Sequence, residues 1–393
     1  MVDQRLIKIR EYEDQIRDLL DTAENKRRAN LWIDEHDDSD TIWHPLPKDK
    51  DHMPFSFEIE RIGYARMIGF SLVKFYTDPI EYVLRSLEIM LFKFNTFPED
   101  CSPIGKAIAY WPGVGFEASL MGLPQQYTEE DSWVGRHPVV SERIPLEKIE
   151  YPDFYNSRIM VETHEFFNKM REVMSDDFIV LFPRWNRSPW SVAWAIRGIE
   201  NLIYDYIEDP EWTAAFVDLL TDYRIRFTQD RAKHLGVAKD KTTNLYNDEV
   251  LSPVISPAMY RDIILPSDKR IAVEYGSISY WHSCGNTTPF YEDINTIPNL
   301  SMVHIGPWSD VREAVKKYSE DKTLEVALNP LSDVMTPAYP EKIRERLIEI
   351  KEITASRLSV CRSDGFMVIH DVETDIRILR EWMSHANEIL LNQ

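Results

Sequence analysis

From residue 104 onward, short apolar runs alternate with longer amphipathic ones, and this alternation limits the fold more than any other feature of the chain. Lys106–Tyr110 and Phe178–Phe182 read as buried strands, and 191–206 and 211–235 as helices. The second half is more regular. Strand-like 243–246 precedes helical 257–275, and 277–281 precedes a short helix near 289–294. Likewise 300–305 precedes 309–318, 323–328 precedes 340–354, and 357–360 comes before the closing helix 375–391. Strand then helix at this spacing is the signature of a parallel sheet built from βαβ units. The pattern yields about seven strands, with 366–369 as a candidate eighth.

Two architectures fit: a (β/α)8 barrel and an open doubly wound sheet. An open sheet usually carries a Gly-rich phosphate turn. Gly113-Val114-Gly115 lacks its third glycine, because Ala118 stands there, and the chain has no P-loop. The barrel is therefore the expected fold. Residues 1–100 read as a helical extension: Leu6, Ile9, Ile16, Leu19 and Leu20 recur at helical spacing, 30–56 is loop-like, and helical pattern over 57–95 breaks at Asp78-Pro79. Residues 101–393 form the expected barrel domain. The first helix is expected to lie on the body or on a partner subunit, which makes a homodimer one expectation.

The net charge of −21 argues against a nucleic-acid partner or an anionic membrane surface, since both need clustered Lys and Arg. No run reaches the about 18 apolar residues of a membrane span. Three cysteines make no disulfide framework, and residues 1–12 have no apolar signal core. These features point to a cytoplasmic protein in which thiols hold metal rather than crosslinks.

Chemistry concentrates at Ser277–Asn286, where an apolar run ends in His282-Ser283-Cys284-Gly285. Strand ends feed the active-site face of such a barrel. In extended chain, residues two apart share a side, so His282 and Cys284 aim at one point. Imidazole nitrogen and thiolate sulfur are good zinc ligands. Gly285 allows a sharp turn after them. Cys361 also closes an apolar run, Arg357–Cys361, and is expected at the same face of another strand. Three such ligands would leave a fourth position open, as catalytic zinc requires. Cys361→Ser is thus expected to cost more metal affinity than Cys101→Ser.

His282-x-Cys284-Gly285, followed by Cys361 77 residues after Cys284, resembles the zinc site of the methyltransferase branch of the uroporphyrinogen decarboxylase superfamily. That branch includes the methylcobalamin:coenzyme M methyltransferases and corrinoid-dependent demethylases. The stretches Arg197–Leu202, Asp209-Pro210-Glu211, Asn247-Asp248-Glu249, Ser252-Pro253, Ile255-Ser256-Pro257 and Asn329-Pro330 are similar as well. The likeness covers about residues 170–393. It implies a zinc ion on His282, Cys284 and Cys361, and methyl transfer between a small molecule (a thiol, methyl ether or methylamine) and a cobalamin or other corrinoid, carried on a partner corrinoid protein. In such a site zinc lowers the pKa of a bound thiol, or acts as a Lewis acid on a leaving heteroatom.

Asp248 and Glu249, at another strand end, are candidates to ligate zinc, orient His282 or act as general base; a helix-start or solvated acid is the plainer alternative. His304 ends the next strand and is a candidate for the site or for the core. His370-Asp371 is a candidate to close the pocket. Of the aromatics Phe182, Trp185, Trp190, Tyr246, Tyr280, Trp281 and Trp308, the residues Tyr280 and Trp308 are candidates to face the corrinoid. Arg184 and Arg187 flank Trp185, and Arg184 is the candidate to hold a carboxylate or phosphate tail. His164-Glu165 begins like a zinc-protease motif, but Asn168 replaces its second His. A uroporphyrinogen decarboxylase is the competing enzyme reading; the early Arg-Gln-Ala-Gly-Arg segment of that enzyme is absent. A non-catalytic barrel that binds zinc or corrinoid is the third reading.

Overall fold

The computed structural model describes residues 3–33, 44–130, 132–135, 137–335 and 340–391. Eight parallel strands carry the fold: β1 (Phe55–Ile59), β2 (Ala107–Ala109), β3 (Ile179–Leu181), β4 (Thr243–Tyr246), β5 (Ile278–His282), β6 (Leu300–Ile305), β7 (Thr323–Leu328) and β8 (Ser359–Phe366). Six form one sheet in the order β1-β8-β7-β6-β5-β4, and β2 pairs with β3. A parallel bridge between Arg187 and Tyr246 joins the chain after β3 to β4, through Ser188 N–H on the Tyr246 carbonyl at 2.8 Å and Tyr246 N–H on the Asn186 carbonyl at 3.0 Å. At the other seam Cys101 N–H donates to the Phe55 carbonyl at 3.2 Å. The result is the (β/α)8 barrel that the alternation predicts.

Two expectations move. The missing strand is β1, not 366–369: Phe55–Ile59 pairs with β8, and Phe366 ends β8 itself. The division at residue 100 therefore cuts off a barrel strand. Phe-Ser-Phe-Glu-Ile is only five residues long and runs straight into the helix Arg61–Ile68, so its period merges with the helical pattern that follows.

Caps set the helix starts that the sequence marks as breaks. Asp78 accepts from the N–H groups of Ile80 and Glu81, and Pro79 at the first helical position has no N–H to satisfy. Asp209 and Pro210 repeat the device on the helix Pro210–Leu235, which ends at Gly236 in the left-handed region (φ 67°). The helix read over 191–206 is two, because Gly198 at φ 80° separates Pro189–Arg197 from Ile199–Glu208.

The N-terminal helix Gln4–Leu20 lies on the body, with Ile9 and Ile16 fully buried. Arg5 binds Asp78 at 2.6 Å and Tyr12 donates to Glu88 at 2.9 Å. Trp32 Nε1–H donates to the Cys101 carbonyl at 2.8 Å, which ties the extension to the base of the barrel. No described helix is long and apolar enough to cross a membrane.

Candidate metal centre

Strands β4 and β5 run side by side, Tyr246 level with His282, and just past their ends the chain brings Asp248, His282 and Cys284 together. One ligand atom from each lies within 4.8 Å of the others. His282 Nε2 is 3.3 Å from Cys284 Sγ and 3.4 Å from Asp248 Oδ1. Ligands held at zinc distances around a tetrahedral ion stand about 3.3–3.6 Å from one another. Asp248 Oδ1 is buried with no hydrogen-bond partner. Such an atom is costly unless something answers it. A thiol, an imidazole and a carboxylate with an unanswered oxygen suit zinc in both spacing and chemistry. Cys284 is exposed, so the cluster opens toward solvent.

Each member is held from behind. Asp248 Oδ2 lies 2.9 Å from Arg187 Nη2, and Arg187 Nη1 donates to Glu249 Oε1 at 2.7 Å. Burial works against the Arg187 charge, but Asp248 and Glu249 hold it protonated. Glu249 is itself pushed up by burial, against the pull of Arg187. Arg187 is fixed by its backbone, where Glu117 Oε1 accepts from the N–H groups of Asn186 (2.8 Å) and Arg187 (3.1 Å). His304, fully inside, donates from Nδ1–H to the Ser283 carbonyl at 2.9 Å, and its ring centroid lies 4.2 Å from that of His282. Burial first, and His304 second, push the His282 pKa well below its ordinary value. A neutral imidazole is the form that binds metal.

Asp268 braces both strand ends. Its Oδ2 accepts from Asn247 Nδ2 (3.0 Å), Trp281 Nε1 (3.0 Å) and Tyr260 Oη (3.1 Å), the first two being neighbours of Asp248 and His282. Asn247 N–H donates to the His282 carbonyl at 2.8 Å. Gly285 serves by close approach rather than by a left-handed turn: a Cβ there would fall 2.1 Å from Leu251 Cβ and 3.2 Å from Leu251 Cα. Only glycine lets the loop after Asp248 lie against the loop after His282.

Cys361 does not join the cluster. It starts no mouth loop; it lies within β8, level with Val326 of β7 and Phe55 of β1. The neighbouring Arg362 faces the barrel interior, its Nε 2.9 Å from Glu325 Oε2. Successive strand residues face opposite sides, so Cys361 faces the helices. Phe55, in register with it, packs there on Trp382. Burial pushes the Cys361 thiol up to about 12. Placing it with His282 and Cys284 from its position after an apolar run is corrected by this parity.

Two further expectations change. Tyr280 is buried inside the barrel, hydrogen-bonded to Glu325 and near His282, so it does not line an open cofactor surface. Arg184 lies 3.3 Å from Asp240, which also pairs with Arg231, so it is engaged by a carboxylate of the chain itself. His370 lies past the end of β8 and pairs with Asp375 at 2.8 Å. Trp308 is 65% exposed in the loop after β6.

Sequence reasoning missed the group beneath the site: Glu325, His44 and Arg362. A single acid inside Thr-Leu-Glu-Val-Ala-Leu, all six residues of which are buried, is a readable sign of a paired internal charge. His44, in the loop of the extension, carries no such sign.

A sequence profile described as uroporphyrinogen decarboxylase (URO-D) matches residues 115–359. The methylated-thiol–coenzyme M methyltransferase of Methanosarcina mazei is 30% identical over 104 residues, 26% of this chain and 26% of that protein. The match thus spans about a quarter of that relative's length. A methyltransferase of known structure from Methanosarcina mazei superposes with a TM-score of 0.60 over 85% of this chain and 94% of that one, at 16% identity, which is a likeness of fold.

Proposed function

Because this chain belongs to the uroporphyrinogen decarboxylase family, and because its similar proteins include methyltransferases, we propose that it is a zinc-dependent methyltransferase acting between a small methylated molecule and a corrinoid. The observation that carries the reading is the cluster Asp248–His282–Cys284, with an exposed thiol and an unanswered carboxylate oxygen. These three residues would hold the ion, in place of the set His282, Cys284 and Cys361. Three protein ligands leave a position for a substrate heteroatom.

When bound, zinc supplies Lewis acidity to a sulfur, oxygen or nitrogen of the substrate. The remaining work falls to the chain. His282 stays neutral and presents a lone pair. Arg187 holds Asp248 by one oxygen and leaves the other toward the site. Glu249, held by Arg187, and His304, against the His282 ring, are the candidates to hold or move a proton. Trp308 at the rim offers an exposed ring to a corrinoid, carried on a partner protein. The resemblance of the His282-x-Cys284-Gly285 segment to the methyltransferase branch supports the corrinoid; the substrate's heteroatom stays within thiol, ether and amine.

A decarboxylase acting on a polycarboxylate is disfavoured by the cations. Arg187 is matched by Asp248 and Glu249, and Arg362 by Glu325. Such a substrate would have to displace buried ion pairs.

The test is metal analysis followed by turnover. Purified protein should carry one zinc per chain and move methyl groups between cobalamin and a methylated thiol, ether or amine, and Cys284→Ala should do neither. Absence of tightly bound zinc, or equal zinc in Cys284→Ala, overturns the reading. Zinc without any methyl exchange favours a non-catalytic binding barrel.

A further inference from the structure

The floor of the site is a buried, charged group on which the metal reading makes no demand. Glu325 on β7 is fully buried and level with His304. Three side chains converge on its carboxylate. Tyr280 O–H donates to Oε1 at 2.5 Å, Arg362 Nε lies 2.9 Å from Oε2, and His44 Nδ1–H donates to Oε2 at 3.3 Å. The His44 ring stacks on Tyr280 at 3.5 Å, and its Nε2 accepts from Tyr246 O–H at 2.8 Å. Burial opposes the Glu325 charge, but Arg362 and His44 hold its carboxyl well below the usual range.

A carboxylate only accepts hydrogen bonds. The Tyr280 hydrogen is therefore committed to Glu325. Tyr280 Oη also lies 3.1 Å from His282 Nδ1, and toward that nitrogen the oxygen has only lone pairs to offer. Nδ1 must carry the hydrogen of the neutral ring, and Nε2 is left bare. Nε2 is the atom that faces Cys284 Sγ and Asp248 Oδ1. The partner of a ligand histidine's other nitrogen fixes its tautomer and orientation.

We propose that Glu325 is a positioning residue of the metal centre, acting through the Tyr280 hydroxyl to hold His282 in the tautomer whose bare Nε2 faces Cys284 and Asp248. Arg362 and His44 are the clamps that keep Glu325 charged and aimed. The extension thus contributes a side chain to the floor of the site. This rests on the reading of Asp248, His282 and Cys284 as zinc ligands.

Tyr280→Phe removes one oxygen and keeps the ring that His44 stacks on. Zinc affinity, measured by competition with a chromophoric chelator, should fall about 10–100-fold. The 15N spectrum of histidine-labelled zinc-free protein should change from protonated Nδ1 to a mixture of tautomers at His282. Tyr246→Phe removes a hydroxyl that reaches Glu325 only through His44, and should lower zinc affinity less than Tyr280→Phe and leave the His282 tautomer as in the wild type. Glu325→Gln should reproduce the Tyr280→Phe tautomer change. Unchanged zinc affinity and an unchanged tautomer in Tyr280→Phe overturn the proposal, as does an equal loss in Tyr246→Phe. The metal reading fails separately, if Cys284→Ala binds zinc as tightly as the wild type.

Discussion

Cys284 and Cys361 each follow an apolar run, yet the barrel sends them to opposite environments. The first lies past the end of β5, exposed, with its sulfur 3.3 Å from His282 Nε2. The second lies within β8, buried against the helices, with its thiol pushed up to about 12. The difference is pleat parity and depth along the strand. A ligand must leave the strand at the mouth or point inward, and β8 runs on for five residues past Cys361. In extended chain a shift of one residue exchanges core and outer face. Spacing alone therefore cannot pair two thiols across a barrel.

The largest expected effect contrasts the two directly. Cys284→Ala should weaken zinc binding by more than the about 10–100-fold typical of residues behind the ligands, whereas Cys361→Ala should leave it unchanged. Cys361→Ser should then match Cys101→Ser in metal affinity, the reverse of what sequence spacing predicts. Chelator competition on the four variants decides it. A Cys361 loss as large as that of Cys284 would mean that β8 turns its other face inward and would break the contrast.

A second effect concerns the frame of the mouth. Burial pushes the Asp268 carboxyl up to about 6, against an ordinary 3.8, despite hydrogen bonds from Trp281, Asn247 and Tyr260. The folded state holds this proton more tightly than the unfolded chain. Its contribution to stability is therefore fully present below about pH 4 and is lost as pH rises through about 6, a change of about 3 kcal/mol. Asp268→Asn should remove that component from the denaturation midpoint measured between pH 4 and 7. Cys361→Ala should retain it, because its thiol stays neutral across the window. An unchanged profile in Asp268→Asn would show that the mouth is braced by something else.

Two glycines sharpen the contrast at lower cost. At Gly285 the backbone is unstrained but the space is taken by Leu251; at Gly365 of β8 the space is open, nearest atom 3.8 Å away, but φ is +70°. Gly285→Ala should cost about 1–3 kcal/mol by overpacking and weaken zinc binding by moving the loop after Asp248. Gly365→Ala should cost about 1–2 kcal/mol by backbone strain and leave zinc binding alone. Thermal denaturation with metal titration separates the two. Equal zinc affinity in both would detach Asp248 from the site.

The sequence was most legible where strand and helix follow each other at regular spacing. Leu300–Ile305, Thr323–Leu328 and Pro340–Thr354 stand where the pattern puts them. Phe55–Ile59 was not legible, since a five-residue buried strand leading into a helix has no period of its own. At the site, His282 and Cys284 were readable because both lie on one short segment. Asp248 was readable only as one of several acids, for its pairing with His282 depends on two strands lying side by side. His44 was out of reach: it is 281 residues from Glu325 along the chain, and a loop histidine has no local pattern.

The smallest perturbation tests the contrast without any substitution. A thiol reagent reacts with the thiolate and needs access. Cys284 is exposed at the mouth, while Cys101 and Cys361 are buried and both pushed up to about 12. Folded, zinc-free protein should lose one thiol quickly and the other two only on unfolding, with peptide mapping placing the label at Cys284. Added zinc should slow that labelling while leaving the rate of the slow pair to follow unfolding. Rapid labelling of Cys361 in folded protein would require β8 to open at its outer face, and the assignment of the two thiols to separate regions would fail with it.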